Sequence, residues 1–158
     1  MCLVIDCCTL ASVFDESNTQ HKEFAPVRHW LFKGKGKLIY GGTHYVEELE
    51  RAPRYLGIFV ELGRSKKAIK INTSVVDGLE SEIKNQVKTK KFNDPHLIAI
   101  MRASGCRTVC TADEKAMPFL KSQALYGVGS KRAKIYSREK NKKLLRDTCD
   151  DECPVDRS

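Results

Sequence analysis

Between Asp94 and Asp113 the chain spells out a helix and then a strand, with both ends of the helix marked. Asp94-Pro95 reads as an N-cap followed by proline in the first turn, and Gly105 supplies a left-handed stop, which predicts a helix over 95–104. Arg107 to Thr111 then predicts a strand, favoured by β-branched Thr108, Val109 and Thr111 and ended by Asp113. A helix and a strand of one α/β layer run antiparallel, so the start of the first and the end of the second meet at one edge. Asp94 and Asp113 are therefore expected to be neighbours despite their separation in sequence.

The rest of the chain repeats this alternation, which places it in the α/β class. Cys2-Leu3-Val4-Ile5 is a continuous apolar run, as in a parallel-sheet strand covered on both faces, and it ends at Asp6. Cys7 to Phe14 reads as a helix, and Phe24 to Phe32 as another with Pro26 in its first turn. Lys37 to Tyr40 predicts a strand closed by Gly41-Gly42, and Thr43 then suits the N-cap of a helix through Arg51. Further on come a helix over 54–62, a strand over 68–71, and a helix opened by Ser74 and Asp77 at capping-box spacing. Glu114 to Leu120 reads as helix, Ala133 to Tyr136 as strand, and Arg138 to Arg146 as a basic amphipathic helix.

At 158 residues the chain fits one domain with a real core, assigned to 1–146, and 147–158 form an acidic tail expected to fray. No apolar run reaches membrane-spanning length, and Cys2 to Ile5 is too short for the apolar part of a secretory leader. A cytoplasmic protein with no membrane partner is the expectation. Seven cysteines without a CxxC pair fit reduced thiols better than a disulfide framework. Cys149 and Cys153 are spaced loosely enough to bind zinc, but the shell would need distant His21, His29, His44 or His96, so no structural zinc site is expected. Neither GxGxxG nor GxxxxGK[ST] occurs, which removes support for a nucleotide cradle.

The formal net charge of +8 points to a polyanionic partner. Four basic clusters carry it, around Lys33 to Lys37, Arg64 to Lys70, Lys88 to Lys91 and Lys131 to Lys143. Each alone is ordinarily a solvated face. Lys35, Lys37, Lys131, Arg132 and Lys134 are the candidate contacts to a nucleic-acid backbone; Tyr40, Tyr45, Phe92 and Tyr126 are of the type that stacks bases, but each is expected in the core.

Asp6, Glu48, Asp94 and Asp113 each fall just past a strand or near the start of the helix after it. In an open α/β sheet that edge is the ligand crevice. Each acid alone suits a helix N-cap or a solvated helix position. Glu47 and Glu50 compete with Glu48, which is preferred because Val46 and Leu49 flank it on the inward side. Four carboxylates brought together repel one another, and a hard divalent cation relieves that repulsion. Magnesium or manganese, one or two ions, takes oxygen ligands and supports phosphodiester hydrolysis. A cysteine nucleophile at Cys7 or Cys8 lacks a histidine base placed by chain order, and Cys8 is not the second acid a haloacid-dehalogenase-type phosphatase requires.

These motifs resemble the PIN-domain nucleases: Leu3-Val4-Ile5-Asp6, Val46-Glu47-Glu48-Leu49, Asp94-Pro95-His96-Leu97-Ile98-Ala99 and Thr111-Ala112-Asp113, in order over about residues 2 to 136. The resemblance implies a three-layer α/β/α sandwich on a mainly parallel sheet. It implies a magnesium- or manganese-dependent endoribonuclease, with Asp6, Glu48, Asp94 and Asp113 as catalytic metal ligands and Thr111 as an accessory hydroxyl. It also implies RNA as partner, a role as a toxin of a toxin/antitoxin pair with an antitoxin or other protein bound, and a homodimer. Cys8 departs from the family pattern, which often has a small hydroxyl or amide residue there; Thr9 is the accessory residue that substitutes, or the contact is missing. The competing reading is a catalytically silent PIN-like module that binds RNA or a protein.

Overall fold

A computed structural model describes residues 1–146. Its centre is a sheet of five strands, β1 (Cys2–Ile5), β2 (Lys37–Gly41), β3 (Ala68–Ile71), β4 (Thr108–Cys110) and β5 (Lys134–Tyr136). They lie in the order β3-β2-β1-β4-β5. Every pairing is parallel, with Leu3 opposite Leu38, Val4 opposite Val109, Leu38 opposite Ala68 and Val109 opposite Ile135. Helices cover both faces, giving a three-layer α/β/α sandwich, and all four residues of β1 are accordingly buried. The chain adds strands on one side of β1 up to β3 and then crosses to the other side for β4. The reversal makes the carboxyl ends of β1 and β4 the topological switch point, where such sheets form a crevice.

The helices are α1 (Leu10–Phe14), α2 (His21–Phe32), α3 (Thr43–Glu50), α4 (Pro53–Arg64), α5 (Thr73–Gln86), α6 (Pro95–Ser104) and α7 (Met117–Leu120). Helix α6 has the bounds read from its caps, and Gly105 closes it at φ 77°. Eight of its ten residues are buried, since α6 packs between the sheet and α5 and needs apolar side chains almost all round. His96 sits among them, wholly buried.

Several local expectations are corrected. Helix α2 begins at His21, so Pro26 lies inside it rather than in its first turn; the carbonyl it leaves without an N–H donor belongs to exposed Lys22. Gly42, not Thr43, is the N-cap of α3, at φ 81°, and a Cβ there would come within 2.5 Å of Val76 Cγ1. Thr43 instead gives its amide and hydroxyl to Asp77, at 2.8 and 2.6 Å. That takes Asp77 away from a capping box, and Asn72 caps α5 by accepting from the Val75 amide. Residues 7–9 form a 3₁₀ turn before α1, and the helix expected from Glu114 shortens to α7 because Asp113 holds the turn before it. The basic segment after β5 is a 3₁₀ helix, Glu139–Leu144, rather than an α-helix. Asn141 accepts from the backbone amides of Ser137 and Arg138, and such side-chain competition disfavours the α form. The acidic tail at 147–158, with Cys149 and Cys153, lies outside the described residues. Among the described residues no helix is long and apolar enough to cross a membrane.

Candidate functional site

Three acids meet at the switch point. Asp6 follows β1, Asp113 follows β4, and Asp94 precedes α6; one carboxylate oxygen from each lies within 4.8 Å of the others. The expected proximity of Asp94 and Asp113 is present. Asp6 is held from two sides, Oδ2 accepting from Thr111 Oγ1 at 2.8 Å and Oδ1 from the Cys8 amide at 3.4 Å. Thr111 Oγ1 also accepts the Asp113 amide at 3.0 Å, so one hydroxyl orients two of the three acids. Asp94, the N-cap by position, makes no side-chain bond to α6, which leaves its carboxylate to the cluster.

Burial and crowding show in the acidities. Asp6 is 3% exposed, and burial, followed by the charge of Glu48, raises its pKa against the lowering effect of its hydrogen bonds. Asp94 is pushed up to about 7 by burial first and then by Asp6, Asp113 and Glu48. The neighbouring thiols rise as well, Cys7 through burial and Glu48, Cys8 through desolvation and Asp6. They are protonated at neutral pH, which gives neither the thiolate a nucleophile needs.

Glu48 is the acid the structure places differently. Its Oε1 faces His44 Nε2 at 3.1 Å, and its Oε2 stands 3.7 Å from His96 Nε2. It acts on Asp6 and Asp94 through its field, while its oxygens are turned to the histidines. The apolar flanks Val46 and Leu49 set the inward side of α3 but not the direction of the Glu48 carboxylate. The competing signal was His44, one helical turn earlier and therefore on the same face. His44 Nδ1 in turn faces Glu80 Oε1 of α5 at 2.9 Å, and its ring lies 3.8 Å from that of His96. Neither nitrogen of His96 has a hydrogen-bond partner, and burial, then the charge of His44, lowers its pKa to about 3. Nothing in the sequence linked Glu80 to this group; only the packing of α5 on α3 and α6 does so.

Thr9, the accessory residue expected to stand in for the hydroxyl or amide that Cys8 lacks, bridges two loops of the site. Its buried hydroxyl accepts the Ala112 amide at 3.2 Å, tying the turn after β1 to the loop after β4. The five basic residues expected to contact a nucleic-acid backbone lie at the other edge. Lys37 opens β2 and Lys134 opens β5, with Lys35 and with Lys131 and Arg132 just ahead of them, whereas the acids follow strand ends. In an all-parallel sheet those edges are a strand length apart, roughly 13 Å at 3.3 Å per residue. The basic residues near the acids are others: Lys84, Lys88 and Lys90 line a cavity of about 230 Å³ with Pro95, the residue after Asp94, and Lys115 follows Asp113 by two positions. The aromatic candidates pack: Tyr45, Phe92 and Tyr126 are buried, and half-buried Tyr40 sits edge-on against Phe59.

Three oxygen donors of this kind suit a hard divalent cation, and the raised pKa of Asp94, due first to burial and then to the charges of Asp6, Asp113 and Glu48, includes the repulsion such an ion relieves. Comparison with protein-family models, curated proteins and solved structures finds no match to this chain.

Proposed function

We propose that the chain is a magnesium- or manganese-dependent nuclease that hydrolyses phosphodiester bonds, with the ion or ions held by Asp6, Asp94 and Asp113. The observation carrying this reading is the convergence of those three carboxylates within 4.8 Å at the switch point of a parallel sheet. Such an ion, when bound, supplies an activated water and charge neutralisation at the phosphate. The chain's own groups do the rest. Thr111 holds Asp6 and the Asp113 backbone in place. Asp94, whose pKa burial and the neighbouring carboxylates raise, would be held as the carboxylate by the charge of the ion. Glu48 adds negative potential from the side of the histidines.

Lys84, Lys88, Lys90 and Lys115 supply positive charge on the acid side of the molecule, where a phosphate backbone would have to lie to be cut. Binding through such residues carries no base preference. RNA as the substrate, and an antitoxin, other protein or second copy of the chain as partner, rest on the resemblance to PIN-domain nucleases.

The test is cleavage of a labelled single-stranded RNA, with a DNA control, by wild type and Asp6→Asn in magnesium, manganese and chelator. Metal-dependent cutting that disappears in the variant supports the proposal. Salt-sensitive RNA binding with no cutting in either metal overturns it in favour of a silent binding module.

A further inference from the structure

The histidine cluster beside the acids has its own chemistry. His44 on α3, Glu80 on α5 and His96 on α6 bring one ligand atom each to within 4.8 Å of one another. The three residues come from three different helices, so their meeting is a product of tertiary packing. His96 is wholly buried and neither of its ring nitrogens has a hydrogen-bond partner. A buried imidazole is ordinarily satisfied. Here its ring lies tilted by 35° with its centroid 3.8 Å from that of His44, and Glu48 Oε2 stands beyond hydrogen-bond reach at 3.7 Å.

We propose that His44, His96 and Glu80 form a second divalent-cation site, selective for a transition ion of the zinc class rather than for magnesium. Two imidazoles and one carboxylate are a donor set that suits zinc and leaves a fourth position for water, whereas the three carboxylates nearby suit a hard ion. His44 presents Nδ1 toward Glu80 as the ligand nitrogen. Its Nε2 donates to Glu48, the carboxylate that orients a metal-binding histidine from behind. Lys84, whose ammonium stands 3.4 Å from Glu80 Oε1, holds the position of positive charge that the ion takes over. Glu48 thus serves as the outer partner of the zinc-class site and turns its oxygens from the acid trio for that reason. The assignment stands independently of the nuclease reading, since it uses none of Asp6, Asp94 and Asp113.

The test measures zinc alone by equilibrium dialysis, and cobalt alone by absorption, on the full reduced chain carrying Asp6→Asn and Asp113→Asn, which cripples the carboxylate site. The expected result is one zinc per chain. Cobalt should show tetrahedral or five-coordinate ligand-field bands without a thiolate-to-cobalt charge-transfer band. Adding His44→Gln or Glu80→Gln should weaken zinc at least about tenfold, with an unchanged far-ultraviolet circular dichroism spectrum. His44 is partly exposed and Glu80→Gln is isosteric, so both variants should fold where a His96 substitution risks not doing so. Zinc binding that ignores both substitutions, that vanishes with the two aspartates, or that shows thiolate ligation overturns the site.

Discussion

Thr111 donates its hydroxyl to Asp6 at 2.8 Å across 105 positions of sequence, while the same oxygen accepts the amide of Asp113 at 3.0 Å. Both bonds are buried or nearly so, and they join the ends of the two strands that flank the switch point. Thr111→Val keeps the shape and deletes the hydroxyl. The expected loss is about 1–3 kcal/mol of stability, the cost of stranding buried polar partners. Cleavage should fall roughly 10–100-fold, as for lost outer-shell partners of a metal site. Thermal unfolding and steady-state cleavage of one RNA, measured together, check both figures.

Asp113→Asn should abolish cleavage while the circular dichroism spectrum stays that of the wild type, since Asp113 is half-exposed and its backbone bonds survive the change. Magnesium should raise the melting temperature of the wild type and leave that of the variant nearly unmoved, because only an ion bound to the native state stabilises it. Equal stabilisation of both proteins would remove Asp113 from the ligand set.

Without metal, the pH dependence of stability has two opposed parts. Asp94, raised to about 7 from 3.8, binds its proton more tightly folded than unfolded, so it withdraws stability as pH rises from about 4 to about 7. His96, lowered to about 3 from 6.5, stays neutral when folded, so its contribution is lost as pH falls from 6.5 to about 3. Asp94→Asn removes the first part. In chelator the variant should therefore gain stability over the wild type progressively between pH 4 and 7 and hold that gain above 7. Denaturant titrations at several pH values measure the difference directly, and a pH-independent difference would contradict the burial and crowding that raise the Asp94 pKa.

The basic residues sort by edge. Lys88→Ala and Lys90→Ala should each weaken RNA binding and reduce the salt slope by about 1, the release of roughly one counterion per phosphate contact. Lys131→Ala, at the amino edge of the sheet, should leave the cleavage rate unchanged. Binding isotherms at several salt concentrations distinguish the two edges.

Tyr45 ties α3 to the end of β1 through its hydroxyl, which donates to the Ile5 carbonyl at 2.6 Å next to Asp6. Tyr45→Phe should cost about 1 kcal/mol and reduce cleavage without changing which metal supports it. A full loss of folding would make the hydroxyl, not the ring that phenylalanine keeps, indispensable to the fold.

What the sequence determined by itself was local and periodic. The continuous apolar run at Cys2 to Ile5 marked a strand buried on both faces, and Asp94-Pro95 with Gly105 marked both ends of α6, since caps and apolar runs act within a few residues. From those elements and the antiparallel course of helix and strand, Asp94 and Asp113 could be placed together. Where a local signal faced a rival, tertiary contacts decided. Thr43 gave way as a cap because Asp77 lay within reach from α5, and the basic segment after β5 left the α form when Asn141 captured backbone amides. The side of the sheet on which each lysine falls followed from strand polarity, which composition does not carry. Only the tertiary structure turned Glu48 toward His44 and gathered Glu80 and His96 around it, because three helices far apart in the chain had to pack before any of these side chains could meet.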